Sequence, residues 1–349
     1  MTAVECITAL HYAIRHVFRL KGLSFYCKLQ ISLLKVVAVV GYHYGKFLTI
    51  RRHHDETKPL PKFFSAQDRV HKIVGGHWVS ASQFTNGRYS RAALDPNTVA
   101  VVVPVYAQSA EYLVLVSKTL ERLARQTRLP NLIVLVDDAS PVPVPDSFAS
   151  DTVVVLRAAF NAGPASARNA GVHVAKAFGA RYICYLDADC IPAADWICQM
   201  LVAQAAHPGI ICGRTTSTQP ETLVGLYHDI CGTLNGRVLE DESILYGCTC
   251  NLAVDIKVVQ FDFDTGFPGA AFEDVEYCVR ARKQGISLRY VKEAVVQHHY
   301  ECDCRGLFKQ FQRYGSYEHL MCKRHPDYLT WLWASTEISS VLEGHVFNR

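Results

Sequence analysis

Asp187 and Asp189 stand one residue apart at the end of the apolar run RYICYL. Two carboxylates so spaced at a strand end can share a hard divalent cation and still leave coordination positions for phosphate oxygens. Asp137 and Asp138 close a second run, LIVLV, and Pro104-Val105-Tyr106 closes a third. In an open α/β sheet ligands bind beyond the carboxyl ends of the strands, so an aromatic ring and four carboxylates are expected on one rim. Carboxylates crowded in this way repel one another unless a cation or hydrogen-bond donors stand among them. Residues 161–171, NAGPASARNAG, bring small side chains to the entry of a helix, where the positive helix end and the Arg168 guanidinium can meet an anion. The plain alternatives are a surface D-x-D turn and a well-packed helix start with a surface arginine. The dinucleotide fingerprint G-x-G-x-x-G occurs nowhere, which argues against a nicotinamide-dependent dehydrogenase.

These residues need a scaffold, and the pattern supplies one. Thr98–Tyr106, TVAVVVPVY, is a continuous β-branched run of the kind buried in a parallel sheet. A helix is expected over Ser109–Gln126, strands over Asn131–Val136 and Thr152–Leu156, a helix with proline in its first turn over Pro164–Phe178, and a strand over Arg181–Leu186. Strands alternating with helices predict an α/β fold with a mostly parallel sheet. Residues 1–50 read as one or two helices, and 51–98 as a polar connector with turn signals at Pro59, Pro61, Gly75-Gly76 and Asn86-Gly87.

The chain has 349 residues, half of them hydrophobic and 19% charged, which suits about two globular domains and excludes disordered or fibrous classes. A net charge of +4 is too mild to argue for a nucleic-acid partner, yet it is unevenly spread. Residues 1–98 hold 14 Lys and Arg against 5 Asp and Glu, whereas 99–349 hold 22 against 27. A basic N-terminal third suggests an anionic membrane surface as a neighbour, with an ordinary solvated helix pair as the alternative. Thirteen cysteines, several inside apolar runs, and no Asn-x-Ser/Thr sequon favour a reducing compartment, so a cytoplasmic or membrane-peripheral location is expected. The first residues lack the order of a signal peptide. The most membrane-like stretch, residues 29–44, is shorter than the ~20 residues a span needs and is interrupted by Lys35. An interfacial or core helix is expected there, with a membrane anchor carrying a luminal catalytic domain as the alternative.

The runs VVVPVY, LIVLVDDAS, NAGPASARNAG and YICYLDADC resemble, in order and spacing, family-2 glycosyltransferases of the GT-A fold, enzymes that use nucleotide sugars. The likeness continues through GCTCNLA, the segment FDFDTGFPGAAFEDVEYCVRARKQG and the closing LRYVKEAVVQHHYECDCRGLFKQFQRYG, so that it covers 99–318. It implies a GT-A domain over 99–320, preceded by a basic helical segment and connector over 1–98 and followed by a helical tail over 321–349. It implies nucleotide-sugar contacts from Pro104, Tyr106, Asp138, Arg168 and Asp187. Asp187, Asp189 and His298 would hold Mn²⁺ or Mg²⁺ against the diphosphate. Asp274, with Glu273 beside it, would be the general base of an inverting transfer, because a carboxylate opposite the leaving group must take the acceptor hydroxyl's proton. The same pair also reads as an acidic first helical turn. Gln310 and Arg313, with Tyr314, match the family's Gln-x-x-Arg-aromatic element, which would close over the diphosphate; an exposed amphipathic helix is the alternative.

The expected activity is therefore transfer of one hexosyl unit from a nucleotide-diphosphate sugar, with uridine favoured by the family's habit. The acceptor would be a glycan, lipid, protein or small-molecule hydroxyl. Only 25 residues follow Arg324, with Trp331 and Trp333 among them, so a channel-forming synthase is not expected. A sugar-phosphate nucleotidyltransferase is the rival enzyme class, but YAQSAEY after the first strand lacks its glycine-rich basic loop. An inactive nucleotide-sugar-binding scaffold is the rival outside enzymes, and a zinc site at His298, His299, Cys302 and Cys304 has tighter spacing than the usual patterns.

Overall fold

The computed structural model describes residues 24–55, 70–74, 77–80, 98–239, 241–301 and 303–334. The remainder of the expected connector, the first 23 residues, Cys302 and the end of the tail lie outside them. The chain divides into two compact units, one formed by 62–215 and 242–298, the other by 1–61, 216–241 and 299–349. The division is not linear, because 216–241 and 299–320 group with the N-terminal helix rather than with the rest of 99–320.

The elements begin with α1 (Phe25–Asp55), β1 (Val70–Val74) and β2 (His77–Ser80). The hairpin β1–β2 falls inside the expected polar connector; its strands flank Gly75-Gly76, and β1 pairs antiparallel with β5 (Val153–Ala158). Then come β3 (Val99–Val105), α2 (Ala110–Ala124), β4 (Leu132–Asp137), β5, α3 (Pro164–Phe178), β6 (Tyr182–Leu186), β7 (Cys190–Pro192), α4 (Trp196–Ala206) and β8 (Gly209–Ser217). They are followed by α5 (Leu223–Cys231), β9 (Asn251–Asp255), α6 (Glu273–Lys283), β10 (Ser287–His298), α7 (Cys304–Arg324) and α8 (Tyr328–Ala334).

All ten strands form one sheet in the order β2-β1-β5-β4-β3-β6-β9-β8-β10-β7. Its centre, β5-β4-β3-β6, is parallel, as the β-branched runs predict. Outside that centre the expected parallel order gives way, since β9 pairs antiparallel with both β6 and β8, and β7 with β10. The sheet is thus mixed α/β. β3 and β4 are buried along nearly their whole length, covered by helices, which is why they lack the alternation of a half-exposed strand. Gly171 brings α3 onto this layer: a Cβ there would lie 2.4 Å from Val102 Cγ1. Asn251, fully buried at the start of β9, accepts from Trp196 Nε1 at 2.8 Å and donates to the carbonyls of Arg214 and Ala294 at 3.0 Å, cross-linking four segments through one amide.

In the second unit, α1 buries Ile31, Leu34, Ala38 and Tyr42 against Val224, Tyr227 and Cys231 of α5 and Leu307 and Phe311 of α7. Glycine permits the closest approach. A Cβ on Gly45 would stand 2.0 Å from the carbonyl oxygen of Gln312, and one on Gly315 would stand 1.8 Å from that of Tyr42. Thr49 Oγ1 donates to the Ser316 carbonyl at 3.1 Å, and Glu318 receives both the Tyr42 hydroxyl and the Lys46 ammonium. Asp303 caps α7 by accepting the Gly306 N–H at 2.6 Å. Among the described residues eleven cysteines are free thiols; seven are buried and one, Cys304 at the start of α7, is exposed.

Candidate active site

The rim at the end of β3 and β4 is braced by its own side chains. Asp137 accepts the backbone N–H of Ser140 at 2.8 Å and of Val144 at 3.0 Å and pairs with Arg157, whose other nitrogen donates to the Ser140 carbonyl at 3.1 Å. Ser140 Oγ in turn accepts the Ala107 N–H at 2.9 Å, tying the two strand-end loops together. Asp138 accepts the N–H groups of Ala162 and Gly163, both at 2.8 Å, so it also fixes the loop that enters α3. Burial pushes its carboxyl upward against those two donors. Gly163 meets this loop's constraint at φ +86°, and a Cβ there would stand 2.1 Å from the Pro268 carbonyl oxygen. Pro104 lies where β3 has already left β6, so its missing N–H breaks no bond on that side. Tyr106 is 41% exposed just beyond it.

Arg168 is the centre of the next group. It is buried, and donates through Nη1 to Glu273 Oε1 at 2.8 Å and through Nη2 to Asp187 Oδ1 at 2.9 Å. The three residues come from α3, the end of β6 and the start of α6, so this bridge locks three elements at one point. Arg168, expected as a nucleotide-sugar contact with a surface arginine as the alternative, is buried, with both terminal nitrogens engaged by protein carboxylates. The neighbouring Asn169 mimics a backbone pairing, donating to the Phe263 carbonyl and accepting its N–H, both at 2.9 Å.

Glu273 and Asp274 begin α6, whose first turn also holds Glu276. Three carboxylates at a helix N-terminus meet the positive end of its dipole. The capping position is Phe272 in the left-handed region, φ +70°, with no side-chain cap. Such a conformation costs a non-glycine residue free energy and is held here by the surrounding loop. Burial raises the Glu273 carboxyl while Arg168 opposes the shift, and its Oε2 is buried without a hydrogen-bond partner. The Asp274 carboxyl is pushed up to about 7, first by burial and then by the charge of Glu273. Asp274 Oδ1 accepts the Val275 N–H at 2.8 Å.

Beyond the strut, Asp189, Cys190 and His298 present one ligand atom each within 4.8 Å of one another, and His298 Nε2 lies 3.5 Å from Asp189 Oδ1. The cross-strand register pairs His298 with Cys190, which is why β10 delivers its histidine beside the Asp187–Asp189 turn. A carboxylate and an imidazole suit a divalent ion such as Mn²⁺. With Asp187 two residues away and already paired with Arg168, Asp189 and His298 are a donor set that fits such an ion. Asp187 itself is bound to Arg168 and stands outside the three-residue cluster.

Two residues that sequence reasoning left unassigned also act here. Thr119 Oγ1 lies 2.9 and 2.8 Å from the carbonyl oxygens of Ala188 and Cys190, pinning the turn that carries both aspartates. Its signal was a hydroxyl on the apolar face of α2. Tyr112, about two turns earlier, has its hydroxyl pushed upward by burial and by Asp189 and Asp187. Gln310 and Arg313 lie in the other unit on α7, where Gln310 Nε2 donates to the Tyr314 hydroxyl at 2.9 Å and the Arg313 guanidinium lies 5.8 Å from the Tyr314 ring centroid.

Residues 100–260 match the family described as glycosyl transferase family 2. Among solved structures, the chain is similar to GalNAc-T7, crystallised with UDP, GalNAc and Mn²⁺, at 16% identity and a TM-score of 0.46, over 59% of this chain and 44% of that one. It is also similar to TarS of S. aureus at 16% identity and a TM-score of 0.43, over 58% of this chain and 36% of that one. The match thus spans less than half the length of either. No curated protein matches the chain.

Proposed function

We propose that the protein is an inverting hexosyltransferase that moves one sugar from a nucleoside-diphosphate sugar, UDP-linked by preference, to a hydroxyl acceptor. The observation that carries this reading is Asp274, a partly buried carboxylate with its proton affinity pushed up to about 7, next to the Arg168–Glu273–Asp187 strut. A base is most useful when its pKa lies near the working pH. Asp274 takes the acceptor's proton as the hydroxyl oxygen attacks the anomeric carbon, and the bond from that carbon to the diphosphate breaks on the opposite face.

Glu273 pairs with Arg168, and its charge helps raise the proton affinity of Asp274. Asp187 faces the ribose from a fixed position, and Tyr106 and Asp138 hold the base, Asp138 through the lone pairs left beside its two backbone bonds. Asp189 and His298, with Asp187 adjoining, are the residues that would hold Mn²⁺ or Mg²⁺, which when bound supplies Lewis-acid neutralisation of the leaving diphosphate. Gln310 and Arg313 are proposed to contact the diphosphate. The acceptor is a glycan, lipid, protein or small molecule, and the location proposed is peripheral to a membrane.

Release of nucleoside diphosphate from a panel of nucleotide sugars, with Mn²⁺, Mg²⁺ or EDTA, tests the reading. One donor should be slowly hydrolysed, with the activity lost in EDTA and in Asp189→Asn. Absence of both release and metal-dependent nucleotide binding would overturn it.

A further inference from the structure

The side of α1 turned away from its core contacts is neither polar nor covered. Tyr26, Leu29, Leu33, Val40, Tyr44 and Phe47 are exposed, and they recur at three- and four-residue steps apart from one gap, so they form one stripe along the helix. Leu33 and Val40 at its middle are 58% and 54% exposed. Phe25–Thr49 is long and apolar enough to cross a membrane, which exceeds the 16-residue stretch visible in the sequence. Its inner face carries other information. Lys35 is buried there, and Gly41, Gly45 and Thr49 hold α1 side by side with α7 through Phe308, Gln312 and Ser316.

α7 bears Arg305, Lys309, Arg313, Lys323 and Arg324, all exposed. A helix so charged cannot enter hydrocarbon beside α1, so the apolar stripe can meet a bilayer from one side only. The charge on this pair of helices also has one sign: α1 and α7 together carry ten Lys and Arg against two carboxylates, Asp55 and Glu318. Between them opens a groove of about 340 Å³, where Lys309 and Arg313 stand with Thr49, Ser316 and Tyr317. Lys309, which the sugar-transfer reading does not use, supplies a cation there for a phosphate headgroup. Tyr44, on the stripe, lies 6.0 Å from the Phe308 ring next to Lys309, so apolar and basic surfaces adjoin.

We infer that α1 lies in the plane of an anionic phospholipid surface, its outer stripe in the acyl boundary and a lipid phosphate seated in the groove between α1 and α7. This deepens the peripheral location proposed above and does not depend on sugar transfer, so vesicle binding and turnover fail or succeed independently. The stripe supplies apolar insertion and the two helices supply attraction to negative lipid, the two ingredients of an interfacial helix.

The test is co-sedimentation of the full chain with vesicles of equimolar phosphatidylglycerol and phosphatidylcholine, set against phosphatidylcholine alone. Binding to the anionic vesicles should be about tenfold tighter, weaken in high salt and yield to alkaline carbonate. Leu33→Gln/Val40→Gln should weaken binding about tenfold with an unchanged melting temperature, because both side chains are exposed. Lys309→Gln should weaken it severalfold on anionic vesicles alone. Absence of binding, equal binding by the stripe variant or by Lys309→Gln, or resistance to carbonate as for a spanning helix would each overturn the inference. So would a solution dimer that Leu33→Gln/Val40→Gln disperses, since a second copy would then be what covers the stripe.

Discussion

Asp274 holds its proton to a pH at which an ordinary aspartate has long lost it, and that single property links activity to stability. As the proposed base it would work when ionised, so kcat should rise with pH through about 7. Asp274→Asn should lower kcat by about 10²–10⁴-fold with little change in donor KM. Glu273→Gln removes a negative neighbour and leaves Arg168 less compensated, and both changes ease ionisation. The acidic limb of the pH–rate profile should therefore move down by about one unit, and an unmoved limb would deny Glu273 this role. Stability runs the other way. The Asp274 carboxyl titrates higher when folded than its unfolded value of about 3.9, so its contribution is fully present below about pH 4 and is lost as pH rises through about 7. Asp274→Asn should accordingly raise the melting temperature at pH 8 and leave it unchanged near pH 4. The sequence pointed to these two acids through their motif, yet not to the strut that tunes them. Arg168 is 105 residues from Glu273, and nothing in the local pattern tells a buried bridging arginine from one open to a ligand.

At the scale of elements, legibility followed the range of the forces. Burial on both faces leaves its mark residue by residue, so β3, β4 and β6 could be read within a residue or two, and α3 with its N-terminal proline at both ends. Antiparallel return strands such as β9 and β10 carry no such local mark, because their direction depends on where a later segment comes back to the sheet. The hairpin β1–β2 was hidden for a related reason: Gly75-Gly76 was read as a break in a connector, although two glycines between short β-rich runs are also a hairpin signal. The pairing of α1 with α7 lay further still out of reach, since the glycines that permit it are separated by some 270 residues. It makes a sharp prediction. Gly315→Ala sets a methyl carbon where the Tyr42 carbonyl oxygen now stands, and overpacking of this kind costs about 1–3 kcal/mol. Urea unfolding should show that loss, whereas Gly285→Ala, in open space but at φ +74°, should cost less, through backbone strain alone.

For the whole molecule, residues 216–241 group with the N-terminal helix although they fall inside the stretch that matches the family. Residues 24–55 complete a core whose other members come from α5 and α7. Removing residues 1–55 would uncover Tyr227, Leu307 and Phe311 together, and the shortened chain should bind a hydrophobic dye and aggregate where the full chain does not.

The thiols described in the fold have a practical consequence. Among the described residues Cys304 is exposed, Cys27, Cys198 and Cys322 are half-buried and seven other cysteines are buried, so brief treatment with a maleimide dye should label the head of α7 faster than any of these ten, and fluorescence from that position would report lipid contact. The buried set keeps a different record. Each sulfur becomes reactive only when the region around it opens, so the slow phases of modification time the local openings of the fold, helix core and sheet separately, in one tube without denaturant.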